Sequence, residues 1–384
     1  MTLRVGSIFN IYCYSGWTVS HTFFSLNQGM HQAGLECRMH VPNCDDKLRC
    51  GNLTEAIPKL LKPLVYRFSG GPQFFTEALF LRNTERFDAA YFFPDASLNF
   101  LSQLKCQKMP LISERINCHN RSARQILERA YDDLKLPPAH GITDQKIAEE
   151  DEQLALADYI FSPSPLVQKS LLESGVAAAK IISTSFGWSP ARFPGAAVRT
   201  PPPHEAGVTL LFVGSISVRK GAHILLQAWE EAKIKGKLVL CGKLDDAIRI
   251  RCGHILNRPD VVLVDFQADI GPYYAEADIF VFPTLEEGGP LVTYEAMAHG
   301  LPVIVSPMGA GAIVRDKIDG LVVSDLTPGR WADEMQKLAS DGDLRNSMRP
   351  AAGERAQAFT WDRAGASRAQ SLIAGLAPAQ EKTQ

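Results

Sequence analysis

Two glutamates separated by seven residues, Glu287 and Glu295, stand in the stretch EEGGPLVTYEAMAHGLPVI (286–304), directly after the apolar run Ala277-Asp-Ile-Phe-Val-Phe-Pro-Thr-Leu285. That run reads as a buried strand and the residues beyond it as a helix, so Glu287 falls just past the carboxyl end of a strand. In an open parallel sheet this is where ligands bind. Gly288 and Gly289 let the backbone approach a ligand closely, and Pro290 suits the first turn of a helix, where a missing N–H costs nothing. The first-turn amides around Gly289, Leu291 and Val292 have no intrahelical partner and form an anion site. Glu295 lies farther into the helix, but helical Cβ bonds tilt toward the N-terminus, so its carboxylate leans back to the same crevice. Carboxylates accept hydrogen bonds from paired sugar hydroxyls and helix amides hold phosphate; together they suit a nucleotide-sugar. The competing reading is local: acids near a helix start complement its dipole, and Gly-Gly-Pro makes a turn.

A second stretch, LLFVGSISVRKGAHILLQAW (210–229), reads as a buried strand ending at Gly214, a loop carrying Arg219 and Lys220, and an amphipathic helix opened by Gly221. A cationic pair at a strand end can clamp a diphosphate. The alternative is a solvated basic loop. Neither the GxGxxG fingerprint nor a phosphate-binding GxxxxGK[ST] loop is present, which removes the nicotinamide dehydrogenase reading.

The elements that must position these residues alternate along the whole chain. Leu3 to Phe9, a helix over Thr18 to Ala33 and Glu36 to Val41 form a βαβ opening. The rhythm continues through Ala89 to Phe93, a helix over Leu98 to Cys106, Pro110 to Glu114, a helix-rich passage from Arg121 to Leu156, Asp158 to Phe161 and Lys180 to Thr184. The aperiodic, proline-rich PGAAVRTPPPHEAG is a linker. Beyond it come Thr209 to Gly214, helix 221–233, Lys237 to Cys241, Val261 to Val264, Ile279 to Pro283, helix 291–299 and Pro302 to Ser306. Two tandem αβα domains with parallel sheets are expected: 1–195, a linker at 196–207, 208–358, and a closing helix and tail at 359–384, which could pack on either domain.

At 384 residues the chain is long enough for two domains. Forty basic residues against forty-two acidic ones leave a formal net charge of −2, so no global field draws the protein to nucleic acid. Eight cysteines without a CxxC pair read as reduced thiols, and no His/Cys cluster has zinc spacing. The start MTLRVGSIFN has no signal-peptide pattern, and no apolar run of about 18 residues occurs, so a cytoplasmic protein is expected.

FVGSISVRKGAHILLQAW, VLVDFQADIGPYYAEADIFVFPTLEEGGP and the E-x7-E pair resemble the donor half of the GT-B glycosyltransferases of family 4, also called group 1. ALADYIFSPSPLVQKSLLESGVAAAKIISTSFGWSPARF and FTWD extend the resemblance over most of the chain from about Arg115. It implies two Rossmann-like αβα domains facing each other across a cleft, an N-terminal acceptor side and a C-terminal donor side. It further implies that Glu287 approaches the donor sugar, Glu295 holds the ribose, Lys220 contacts the diphosphate, His119 lines the sugar site and Gly16 lies near the phosphates. The sequence departs from the family at three places. Ser215 stands where many relatives have arginine, so one diphosphate contact is lost unless Arg219 replaces it. Gly289 stands where an aromatic is common, and the usual Gly-Val-Asp reads Gly187-Trp188-Ser189.

The resulting expectation is a retaining transferase that moves a sugar from a nucleotide-diphosphate-sugar to a hydroxyl of a saccharide or lipid-linked acceptor, in cell-surface polysaccharide or glycolipid synthesis. Lys220, Arg219 and helix amides would neutralise the leaving diphosphate, with no metal and no cofactor beyond the donor substrate. The alternatives are a nucleotide-sugar epimerase on the same fold and a nucleotide-sugar-binding protein without turnover. Ala56-Ile-Pro-Lys-Leu-Leu-Lys-Pro-Leu-Val-Tyr-Arg-Phe68 mixes basic and large apolar residues, which suits either a peripheral membrane contact or ordinary core packing with lysines at its margin.

Overall fold

The computed structural model describes residues 2–15, 19–68, 70–196 and 207–376. Two compact units emerge from its packing: Met1–His119 with Thr143–Thr184 and Trp361–Gln384, and Asn120–Ile142 with Ser185–Thr360.

The first unit is built on seven strands: β1 Arg4–Ile8, β2 Glu36–Val41, β3 Leu53–Glu55, β4 Ala89–Phe92, β5 Leu111–Glu114, β6 Tyr159–Ser162 and β7 Ile181–Ser183. They pair in the order β3-β2-β1-β4-β5-β6-β7, all parallel. Up to β7 the chain forms helices α1 Val19–Gln32, α2 Lys62–Val65, α3 Gly71–Leu81, α4 Leu98–Cys106, α5 Asn120–Asp133, α6 Asp144–Leu156 and α7 Pro165–Glu173. Central strands such as Ala89-Ala-Tyr-Phe92 are buried at every position, as a parallel sheet covered on both faces requires. Helix starts are written into the sequence: the Ser97, Thr143 and Ser164 hydroxyls accept from the backbone N–H of Phe100, Lys146 and Val167.

The second unit contains β8 Val208–Val213, β9 Gly236–Cys241, β10 Val261–Val264, β11 Ile279–Phe282, β12 Val303–Val305 and β13 Gly320–Val322, ordered β10-β9-β8-β11-β12-β13 and again all parallel. Its further helices are α8 Ala222–Ala232, α9 Asp246–Leu256, α10 Gly271–Glu276, α11 Leu291–Ala298, α12 Pro307–Ala310, α13 Pro328–Ser340 and α14 Gly342–Gln357. Both sheets reverse their strand order once, between β1 and β4 and between β8 and β11. The loops leaving β8 and β11 therefore diverge from one crevice, the general ligand position of such sheets.

The division of the chain differs from the contiguous 1–195 and 208–358 expected from the sequence. α5 and the segment to Ile142 pack with the second unit, where the Arg251 guanidinium donates to the Lys135 carbonyl at 3.1 Å. The crossing segment also joins that unit: Trp188 Nε1 donates to the Ala356 carbonyl at 2.8 Å and the Trp188 amide to Phe359 at 3.0 Å. Of the expected linker, residues 197–206 lie outside the described residues. The strands β3 and β13 were not expected from the sequence; each is three residues long and lacks the β-branched pair that marks the equally short β7 and β12.

The final helix α15, Trp361–Leu376, packs on α1. A glycine pair permits the approach: a Cβ on Gly365 would lie 2.5 Å from the Gly29 Cα. Arg368 on α15 is fully buried and grips Glu114 at the end of β5 through two contacts, Nη2 to Oε1 at 2.7 Å and Nε to Oε2 at 2.9 Å. The Tyr91 hydroxyl donates to Glu114 Oε2 at 2.6 Å, and Arg368 also reaches Thr184 Oγ1 at 3.1 Å. Removing one member leaves a buried charge without its counter-ion, so Arg368→Ala should cost about 3–5 kcal/mol in denaturant unfolding. Arg368→Met with Glu114→Leu should recover part of that loss. An Arg368→Ala variant within about 0.5 kcal/mol of wild type, the ordinary range for surface changes, would remove α15 from this anchoring role.

Candidate functional site

The loops after β8 and β11 touch backbone to backbone. Gly221 has φ +68°, and a Cβ there would lie 2.0 Å from the Pro283 carbonyl oxygen, so only glycine fits at this crossing. The Leu285 amide donates to the Arg219 carbonyl at 2.9 Å, and the Thr284 hydroxyl donates to the same carbonyl at 3.3 Å. Ser306 Oγ donates to the Thr284 carbonyl at 2.6 Å, which fixes the second loop from the β12 side.

This zippering brings two acid–base pairs together. The Lys220 ammonium pairs with the Glu287 carboxylate, and Arg219 Nη1 lies 3.0 Å from Glu286 Oε2. Lys220 is buried, with its Nζ 5.5 Å from the centre of the Phe282 ring. Burial first, and then neighbouring Arg219, hold its ammonium well below the usual lysine range, while Glu286 opposes the shift. A buried cation of this kind gains from any further anion that reaches it.

Glu287 is followed by Gly288, whose amide points back to Glu287 Oε1 at 3.4 Å, and by Gly289. A Cβ on Gly289 would lie 2.6 Å from the Phe186 ring, so Phe186 occupies space that any larger residue at 289 would need. Pro290 is the residue flanking α11 rather than its first helical residue, with φ −71° and ψ 96°. Leu291 and Val292 form the first turn, whose amides by helix geometry lack carbonyls one turn back.

Glu295, one turn farther, is buried, and both carboxylate oxygens are engaged: Oε1 with Arg192 Nη1 at 3.0 Å, Oε2 with the Tyr274 hydroxyl at 3.0 Å. Burial raises its carboxyl pKa to about 7, against the opposing effects of Arg192 and Tyr274. His299 stacks on Tyr274 with ring centres 5.0 Å apart, its Nδ1 2.8 Å from the Glu295 carbonyl oxygen. A ribose hydroxyl reaching Glu295 must replace one of its present partners.

Of the residues singled out in the sequence, Lys220, Arg219, Glu287, Gly288, Gly289 and the start of α11 meet at the switch point. Ser215 is exposed at the end of β8, with its hydroxyl 3.2 Å from that of Ser217. His119 belongs to the first unit, where it is fully buried, its Nε2 3.0 Å from Asp151 Oδ1 and 3.7 Å from Glu150 Oε2. Glu150 is itself paired with Arg115. The imidazole is therefore enclosed by carboxylates of α6 and does not face open solvent, unlike a residue lining an accessible sugar site. Gly16 lies outside the described residues. Arg192, Tyr274, Glu286 and His299 were not anticipated. The one signal pointing toward them is that a buried glutamate needs distant partners, and spacing cannot name those.

Among the described residues, no group of three or more His, Cys, Asp or Glu side chains is placed to hold a metal ion, and no helix is long and apolar enough to cross a membrane.

The two all-parallel sheets, with acid and base paired where the second reverses its order, define a GT-B protein. Over 98% of this chain and 100% of its own, the fold matches a sucrose-phosphate synthase from Thermosynechococcus elongatus at 19% identity and a TM-score of 0.69. It likewise matches Anabaena Alr3699/HepE, solved in complex with UDP and glucose, at 13% identity and a TM-score of 0.65 over 97% of this chain and 100% of that one. Residues 207–341 match the family of glycosyl transferases group 1. The D-inositol 3-phosphate glycosyltransferase of Xylanimonas cellulosilytica is 29% identical over 171 residues, 41% of this chain and 40% of that protein. The chain matches between 20% and 45% of the length of such curated relatives, less than half of each.

Glu295 also sets a pH dependence. Because burial lifts its pKa from 4.5 to about 7, the folded chain keeps a proton that the unfolded chain releases. Its contribution to stability is therefore present below the unfolded value and is lost as pH rises through the folded one. Thermal midpoints measured from pH 4.5 to 7.5 should fall less steeply in Glu295→Gln than in wild type. Identical slopes would show that this carboxyl does not titrate in that window.

Proposed function

We propose that the protein transfers a sugar from a nucleoside-diphosphate sugar to a hydroxyl acceptor. The observation that carries this reading is the meeting of Lys220, Arg219, Glu287 and the first turn of α11 at the β8/β11 switch point. The cations and amides suit a diphosphate and the glutamates suit sugar hydroxyls. The group 1 match of the same segment and the UDP and glucose bound by Anabaena Alr3699/HepE support it.

In this reading the diphosphate takes Lys220 from Glu287. Both groups gain: the partly desolvated ammonium acquires a stronger anion, and the glutamate becomes available to the sugar. As the glycosidic bond breaks, charge grows on the leaving diphosphate, and Lys220, Arg219 and the α11 amides stabilise it without reorganising. These fixed cations do the work that a divalent ion does elsewhere, so transfer is metal-independent. Retention at the anomeric carbon fits a site with no protein base assigned. Glu295, held by Arg192 and Tyr274, is the residue assigned to the ribose.

The expected kinetics separate these roles. Lys220→Ala should lower kcat/KM for transfer by at least about a hundredfold, the scale of losing one preorganised contact to developing charge, and Arg219→Ala by less. Activity should survive EDTA. Activity abolished by chelation and restored by Mg²⁺, or a Lys220→Ala enzyme at wild-type rate, would overturn the mechanism; labelled donor epimerised without transfer would replace the reaction.

The acceptor side carries a second proposal, peripheral contact with an anionic membrane. Leu60 is 95% exposed, and Leu61, Leu64, Tyr66, Phe68 and Phe74 are also exposed, on a segment that holds Lys59, Lys62 and Arg67. The first unit thus presents the large apolar side chains that a core would bury, together with basic residues. Co-sedimentation with phosphatidylglycerol-containing vesicles should be lost in Leu60→Glu/Phe68→Glu and weakened by salt. Undiminished sedimentation of the variant would rule this surface out.

A further inference from the structure

A cavity of about 800 Å³ lies within the second unit, between α5, α8 and the residues that lead into α13. The chemistry proposed for the β8/β11 switch point uses none of its polar side chains. Gln125, Arg129 and Asp133 line it from α5, four residues apart and so along one stripe of that helix, and His223 and Gln227 line it from α8. Ile126, Ile224, Leu285 and Leu326 supply apolar walls. The volume is in the usual range of small-molecule sites.

Two features of these side chains call for an occupant. His223 is 8% exposed, and its Nδ1 is buried without a hydrogen-bond partner, which opposes folding until something in the cavity supplies one. Arg129 and Asp133 are opposite in sign and one turn apart, yet among the described residues neither side chain forms an ion pair or a hydrogen bond. Burial holds the His223 imidazole at about pKa 4, against the opposing charge of Asp133. It is therefore neutral near pH 7, and in its Nε2–H tautomer it offers a lone pair at Nδ1. These groups select among ligand charges. A simple anion gains from Arg129 and is repelled by Asp133, a simple cation meets the reverse, and an uncharged molecule leaves both side chains as they are. A zwitterion gains from both, with its carboxylate at Arg129 and its ammonium between Asp133 and His223 Nδ1. The apolar walls then ask for a large apolar body on the same molecule.

We propose that this cavity binds a free α-amino acid with a large apolar side chain, and that the occupant braces the loop carrying Glu286 and Glu287. The bracing follows from Leu285, which is buried, lines the cavity and donates its amide to the Arg219 carbonyl at 2.9 Å. A side chain packed on Leu285 thereby steadies the contact between the loops after β8 and β11. Neither the site nor the bracing rests on the transferase reading. Calorimetric titration of the full chain with leucine, isoleucine, phenylalanine and tryptophan tests the site without donor or turnover. At least one should bind, and its deaminated and decarboxylated analogues should each bind at least about tenfold more weakly, the scale of one lost charge-assisted hydrogen bond. Arg129→Gln and Asp133→Asn, at exposed positions of α5 outside the proposed donor site, should each weaken the same amino acid to a similar degree. Hydrogen exchange at the Leu285 amide should slow when the amino acid is saturating. No binding across the panel, either analogue as tight as the amino acid, or both variants binding like wild type overturns the site. Leu285 exchange unaltered by a saturating amino acid overturns the bracing. A chain that binds the amino acid as described but transfers no sugar keeps this site and loses the transferase reading, while active transfer by a chain that binds none of the four does the reverse.

Discussion

A carboxylate buried at the end of a parallel strand has to find a cation, and the second unit is arranged around that requirement. Glu286, Glu287 and Glu295 follow one strand closely, and each takes its partner from far along the chain: Arg219 and Lys220 from 67 residues away, Arg192 from 103. Desolvating a single charge costs several kcal/mol, so an unpaired glutamate here would oppose folding. Paired, the same groups hold the loops after β8 and β11 and the crossing segment in register. They also leave a charged crevice in which Lys220 and Arg219 are already held in place, a condition for stabilising charge that develops during a reaction.

The first unit solves the same problem in its own core. Glu114 at the end of β5 is satisfied by Arg368 and Tyr91, so the last helix of the chain is tied to the middle of the first sheet. A few residues later Arg115 and His119 meet the carboxylates of α6. Glu114 and Arg115 are consecutive in sequence, yet Glu114 is held by Arg368 of α15 and Arg115 by Glu150 of α6. The glycine contact of Gly29 with Gly365 lets α15 come close enough for the arginine to reach.

Helix α5 shows how packing and chain order separate. It follows β5 of the first sheet, but its buried residues Ala123, Leu127, Ala130 and Tyr131 are satisfied within the second unit. The apolar stripe of a helix specifies that something must cover it and does not specify what. A boundary drawn from composition alone, at the proline-rich segment, therefore misses it.

The sequence by itself determined the parallel α/β architecture, the placement of most strands and helices, and the neighbourhood of Lys220, Glu287 and Glu295, because period, caps and strand-end glycines are local properties. β3 and β13 escaped because Leu-Thr-Glu and Gly-Leu-Val lack the paired β-branched residues that mark the equally short β7 and β12. What only the tertiary structure decided are the partners: that Glu295 is held by Arg192 and Tyr274, that Phe186 fills the space beside Gly289, that His119 is enclosed by Glu150 and Asp151, and that His223 faces a cavity lined by α5. Each joins residues separated by long stretches of chain. The sequence states that a buried charge or polar atom must be satisfied, while the fold alone selects which of many distant groups arrives within hydrogen-bond reach.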